Sequence, residues 1–178
     1  MLFRPTLRKA LPALIVGLLL NFGARADEAA VPPQHETSNF VGRVVDQASA
    51  SVASVENALE KALDLIGIRY RRGGTSPETG FDCSGFVGHV FKEGLGLYLP
   101  HNAKAIAKSG EVVAKTELQP GDLVFFNTMR KAFSHVGIYL GDNKFVHSPR
   151  AGGKVRVEDM TDSYWRKRFN GARRIAAE

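Results

Sequence analysis

The stretch Phe81-Asp82-Cys83-Ser84-Gly85-Phe86-Val87-Gly88-His89-Val90-Phe91-Lys92-Glu93-Gly94 places Phe86, Val87, Val90 and Phe91 three, four, seven and eight positions after Cys83. That is the spacing of one helix face, and it predicts a helix from Asp82 to about Glu93, with Asp82 as its cap and Gly94 as its stop. Cys83 then stands on the packed stripe at its N-terminal edge. Unsatisfied N–H groups and the positive end of the helix dipole favour thiolate over thiol there. Ser84 and Gly85 keep the first turn uncrowded. On the stripe alone a core cysteine is the simpler reading, because a nucleophile needs a base beside it.

Upstream, Ser54 precedes Val55, Ala58, Leu59, Ala62, Leu63 and Ile66, a run at helical spacing that Gly67 can end. Tyr70 to Phe81 holds Arg71-Arg72-Gly73-Gly74 and Ser76-Pro77 and reads as a loop. Downstream, a shorter helix is expected from Asn102 to near Gly110. The pattern then changes to period two. Asp122 to Phe126 follows a Pro120-Gly121 turn, and His135 to Leu140 joins Lys144 to His147 through Gly141-Asp142-Asn143 as a hairpin. Lys154 to Val157 and Arg173 to Ile175 add strands. Helices first and strands afterwards predict an α+β domain over residues 55–178, with helices packed on an antiparallel sheet. Residues 27–54 show weak periodicity and are expected to be a mobile lead-in, with Phe40, Val41, Val44 and Val45 as a short helix at most.

Two histidines are candidates for the base. His135, Gly137 and Tyr139 share one face of the first hairpin strand, and His147 shares a face with Phe145 on the second. Pairing Leu140 with Lys144 puts Gly137 opposite His147 and His135 diagonally across from it, with Gly137 leaving room between the rings. A slip of one residue sends the rings to opposite faces, so the pair depends on register, and two unrelated polar residues remain the alternative. His89, about 240° round the helix from Cys83, points away from the thiol. His35 falls in the lead-in, and His101 follows Pro100 in a loop, exposed or lining a cleft. Zinc is the rival use of paired histidines, but neither a H-E-x-x-H helix nor a cysteine pair accompanies them.

The 178 residues allow one catalytic-sized domain, and 44% hydrophobic content with eleven Phe can bury a core. The first 26 residues hold Arg4, Arg8, Lys9 and Arg25 and no acid, so the formal charge of +6 falls to +2 without them. The case for nucleic-acid binding rests on that charge and disappears with it. Residues 1–26 have the parts of an export signal: a basic start, an apolar run from Ala10 to Phe22 and Ala24-Arg25-Ala26 as cleavage site. Thirteen residues broken by Pro12, Gly17 and Asn21 are short of the roughly 20 that span a bilayer. The mature chain is therefore expected outside the cytoplasm with no membrane anchor. There a lone Cys83 forms no internal disulfide, and it is either buried and inert or kept for its reactivity.

Four stretches in this order, Gly67-Ile68-Arg69-Tyr70-Arg71-Arg72-Gly73-Gly74, Phe81 to Val87, Pro120-Gly121-Asp122-Leu123-Val124-Phe125-Phe126 and Ser134-His135-Val136-Gly137-Ile138-Tyr139, resemble the NlpC-type peptidases, papain-like cysteine endopeptidases of bacterial cell-wall peptides. The resemblance runs from about Val55 to Ile175. It implies a papain-like fold, with Cys83 as nucleophile, His135 as general base and His147 as the polar residue that orients the base. Tyr70 matches a tyrosine beside the nucleophile, and Asp82 and Ser84 match positions that hold the peptide's amino end. Arg72 stands where family members commonly carry an aromatic residue. The implied function is an exported, cofactor-independent and metal-free endopeptidase acting on peptidoglycan stem peptides or cross-links in the periplasm or cell-wall space. A papain-like acyltransferase and a non-catalytic wall-binding protein are the alternatives.

Overall fold

The computed structural model describes residues 34–128 and 130–175. The export signal over residues 1–26 lies outside them. No helix among the described residues is long and apolar enough to cross a membrane.

The first helix, α1, spans Gln34–Asp64, so its start lies twenty residues ahead of Ser54. Ser54 is inside it, its hydroxyl donating to the Ala50 carbonyl at 2.8 Å rather than capping. Residues 40–54 are all exposed, whereas Ala58 and Ala62 are buried against the next helix. The apolar pattern becomes regular only where packing begins, which is why the sequence places the start too late.

The segment expected as a loop contains a small hairpin, β1 (Thr75–Ser76) and β2 (Gly80–Phe81). Helix α2 follows at Cys83–Leu95, capped by Asp82, and buries Phe86, Val87, Val90 and Phe91. Its stop is Gly96, at φ 68°, with its N–H donating to the Lys92 carbonyl at 3.0 Å. Gly94 is an interior residue of the crossing with α1, where an added Cβ would come 2.6 Å from Ala58 Cα. Helix α3 is a single turn, Ala103–Ile106, capped by Asn102 and ending short of Gly110.

The strands β3 (Glu111–Val113), β4 (Leu123–Phe126), β5 (His135–Gly141), β6 (Lys144–His147), β7 (Arg156–Asp159) and β8 (Phe169–Arg174) form one antiparallel sheet. Its order is β3-β8-β4-β5-β6-β7. Beyond the sequence expectation, β3 is added, β7 lies two residues later, β8 is longer, and a short helix, α4 (Ser163–Arg166), precedes β8. All four residues of β4 are buried, because both faces of the sheet are covered. Leu123, Phe125, Val136, Ile138 and Val146 meet the helices. Val124, Phe126, Tyr139 and Phe145 meet Met160 and Trp165 on the other face.

Asp122 is 2% exposed and takes a bidentate pair from Arg174, Nε to Oδ1 and Nη2 to Oδ2, both at 2.8 Å. This ties the Pro120-Gly121-Asp122 turn to the end of β8, and it explains the motif as structural.

The hairpin turn is Asp142-Asn143, both at positive φ (47° and 59°), flanked by the pair Gly141↔Lys144. That is a two-residue turn where three were expected. A register shift between Tyr139 and Gly141 then restores Ile138↔Val146. The body of the hairpin therefore keeps the expected alignment, with both histidines on one face.

Candidate active site

Asp82 organises the start of α2. Its Oδ1 accepts from the Gly85 amide at 2.7 Å and the Ser84 hydroxyl at 3.0 Å, and its Oδ2 accepts from the Gly73 amide at 2.9 Å. His101 Nε2 lies 3.0 and 3.1 Å from the two oxygens. The carboxylate thus holds the Gly73-Gly74 loop, the helix start and the loop before α3 together. Gly85 is required because a Cβ there would lie 2.0 Å from the Gly74 carbonyl oxygen. Ser148, fully buried at the end of β6, donates to the Phe81 carbonyl at 2.7 Å and fixes the hairpin to the chain entering Cys83.

The histidines meet. His135 Nε2 lies 2.6 Å from His147 Nδ1, with the rings perpendicular. Gly137 makes this possible, since a Cβ there would come 2.7 Å from Phe145 Cδ2 and 3.1 Å from His147 Cβ. Both rings are enclosed on the second face of the sheet. Trp165 stacks on His135 (5.7 Å between centroids, 27°) and stands edge-on to His147 (5.1 Å, 89°), with Phe126 and Phe145 completing the box. Cys83 packs against the core of the first face. Cys83 and His135 line the same cleft, and the backbone of Val136, next to His135, lowers the Cys83 pKa.

One cleft is lined by Cys83, Ser84, Asp82, Tyr70, His135 and His101. Arg72 also reaches it, whereas Arg69 and Arg71 do not line it. His147 sits behind His135, fully buried.

Burial pushes the Cys83 thiol up to about 11, the Asp82 carboxylate adds to the rise, and the amides of Val136, Ser84 and Cys83 offset part of it. Burial, and then the neighbouring His147, holds His135 well below the ordinary histidine value. Both shifts favour a neutral thiol beside a neutral imidazole, so burial and Asp82 act against the thiolate that the helix start favours. Tyr70 is also raised, by burial first and then by Cys83 and Asp82, with Arg72 opposing.

Two residues of the site, and one contact, escape sequence reasoning. His101 lines the cleft, one of the two places expected for it, but no pattern ties it to Asp82, because the contact spans nineteen positions. Trp165 belongs to a one-turn helix too short for periodicity. Glu158 pairs with Phe145 across β6 and β7, which puts it on the histidine face. A strand ending at Val157 leaves it out, whereas continuing the alternation one residue further would have found it.

A thiol at a helix N-terminus, and a strand histidine backed by a second polar side chain on the neighbouring strand, define a papain-like cysteine hydrolase. The chain belongs to the NlpC/P60 family, whose signature matches residues 67–174. It is 35% identical over 185 residues to the murein DD-endopeptidase MepS/murein LD-carboxypeptidase of Escherichia coli (strain K12), covering 97% of this chain and 96% of that protein. It is 38% identical over 138 residues to the murein DD-endopeptidase MepH of the same strain, covering 75% of this chain but only 51% of MepH. The crystal structure of an NlpC/P60 family protein from Bacillus cereus ATCC 10987 superposes with a TM-score of 0.64 at 33% identity, over 69% of this chain and 40% of that one.

Proposed function

We propose that the protein is a cysteine-type endopeptidase of bacterial peptidoglycan, with Cys83 as nucleophile, His135 as general base and His147 orienting the base. The observation that carries this reading is the His135–His147 contact opening onto the cleft that Cys83 lines. The proton leaves Cys83 for His135 as the sulfur attacks the scissile carbonyl carbon, the order favoured by the upward shift of the thiol and the downward shift of the imidazole. The amine leaves with the proton that His135 returns, and water, activated by the same ring, releases the acyl group. The Cys83 amide, with the Tyr70 hydroxyl beside it, serves the oxyanion. No step needs a metal or an organic cofactor.

The names of the relatives support a peptidoglycan substrate and bear on the bond in two directions. MepH and MepS are murein DD-endopeptidases, MepS being also a murein LD-carboxypeptidase, which supports the D-alanyl cross-link. The gamma-DL-glutamyl hydrolase of Bacillus subtilis (strain 168), 42% identical over 131 residues, supports the γ-D-glutamyl linkage instead. Arg72 is placed to grip a substrate carboxylate. Asp82 and Ser84 are on the cleft, but Asp82 already receives protein donors on both oxygens. A substrate ammonium would have to displace the exposed His101 ring. Such a substrate places the enzyme in the periplasm or cell-wall space, to which the leader at residues 1–26 would deliver it.

The test is digestion of purified sacculi with the full mature chain and its Cys83→Ala variant, with products identified by mass. Cross-linked dimers becoming monomers identify the cross-link, and shortened stems identify the glutamyl bond. Hydrolysis by Cys83→Ala at the wild-type rate overturns the assignment. Binding to sacculi without any cleavage by the wild type indicates a wall-binding protein, and consumption of an acyl donor alone an acyltransferase.

A further inference from the structure

We propose that Glu158 is a positioning residue that fixes the protons on the two histidines so that His135 faces Cys83 as a base. The proposal rests on reading Cys83, His135 and His147 as the catalytic unit.

A neutral histidine carries one N–H, and the 2.6 Å contact between His135 Nε2 and His147 Nδ1 holds one proton. If His147 Nδ1 donates, His135 Nε2 is the acceptor and its proton sits on Nδ1, so the ring cannot take one from Cys83. If His135 Nε2 donates, its Nδ1 carries the lone pair and can act as a base. Only the second arrangement is productive, and nothing within the histidine pair chooses it.

The choice is made at the far side of His147. In the unproductive arrangement His147 Nε2 is a bare lone pair, and in the productive one it is an N–H. That atom is fully buried and without a hydrogen-bond partner among the described residues. Glu158 Oε2 lies 3.7 Å from it, too long for a hydrogen bond but close enough for charge to act in a buried setting. A carboxylate repels a lone pair and attracts an N–H, so it selects the productive tautomer.

Glu158 is held for this task. Its Oε2 accepts from Trp165 Nε1 and its Oε1 from Arg156 Nε. Burial opposes its ionisation, but His147 and Arg156 outweigh burial and keep the carboxyl at about 2, so it is charged at any working pH. The ionisable groups acting on His147 are Glu158 and Arg156 from β7 and His135 from β5. Trp165 from α4 and Phe145 from β6 are uncharged. In the reaction the S–H bond of Cys83 breaks, its proton goes to His135 Nδ1, and the sulfur bonds to the carbonyl carbon. Glu158 gains no proton at any stage. Its charge favours the imidazolium that forms.

The test labels the histidines of the full mature chain with 15N and assigns tautomers by two-bond 1H–15N correlation at pH 7. It compares the wild type with Glu158→Gln and Glu158→Leu. Gln keeps an acceptor for Trp165 Nε1, so the fold survives if Leu does not. The wild type should show Nε2–H on both rings. The variants should show His147 shifting toward Nδ1–H. On a cross-linked muropeptide, kcat should fall on the order of a hundredfold, less than the ~10⁴ typical when the group directly on a catalytic histidine is changed. KM should change less than twofold. The acid limb of kcat/KM should move to lower pH, because Glu158 raises the His135 pKa. Nδ1–H on His147 in the wild type overturns the proposal, as do unchanged tautomers with an unmoved acid limb in both variants. Tautomers are read on the resting protein, so they stand apart from the catalytic reading, which hydrolysis by Cys83→Ala alone would overturn.

Discussion

Cys83 should behave as a half-buried thiol activated only during attack, not as a preformed thiolate. With the group held at about 11 against an ordinary 9.0, about one molecule in 10⁴ carries a thiolate at pH 7, a hundredfold fewer than for an unperturbed cysteine. Alkylation by iodoacetamide should therefore rise about tenfold per pH unit from pH 7 to pH 10 with no plateau. Asp82→Asn removes the charge that adds to the rise and keeps an oxygen to cap Gly85. It should raise the rate at pH 8 several-fold while costing at most about 1 kcal/mol of stability. Stopped-time alkylation followed by intact mass reads both curves. A plateau below pH 8 would mean a standing thiolate–imidazolium pair and would refute the reasoning. An Asp82→Asn curve superimposed on the wild type would remove Asp82 as a cause.

Gly137→Ala should lower stability by about 1 to 3 kcal/mol in urea denaturation, as overpacking does, and abolish hydrolysis, since its Cβ meets Phe145 and the backbone of Val146 at 2.7 and 2.9 Å; full activity in the folded variant would show that the histidine contact is dispensable. Asp122→Ala leaves Arg174 without its bidentate partner and should cost about 2 kcal/mol with kcat kept, because the pair lies away from the cleft. His135 and His147 both have folded pKa values depressed by burial. Their stabilisation is complete above the unfolded value near 6.5 and is lost as pH falls below it, by at most about 1.4 kcal/mol per pH unit for each ring. Urea midpoints between pH 7 and pH 5 should fall in the wild type, and the slope should be shallower in a folded His147→Asn variant.

The helix that carries Cys83 was legible because its signal is local. An Asp cap, an apolar stripe at helical spacing and a cysteine at its head lie within fourteen residues. The hairpin was legible for the same reason, but its register was kept by two departures that cancel, a turn of two residues rather than three and a shift between Tyr139 and Gly141. Where local signals compete, the sequence misleads. Gly94 looks like a helix stop, but it is the gap that lets α1 pass, and only the crossing reveals that.

What the sequence by itself determined is the residue types at the ends of regular elements: a thiol at a helix start, and imidazoles on a strand pair whose alternation sets their face. What only the tertiary structure decided is their company and their charge. His101 reaches Asp82 across nineteen positions, Trp165 closes over the histidines from a single turn of helix, and Glu158 stands behind His147 on the neighbouring strand. The helix dipole suggested a thiolate, yet burial and Asp82 push the thiol the other way. Periodicity is a property of consecutive residues, whereas desolvation and charge proximity depend on which distant segments fold over the site.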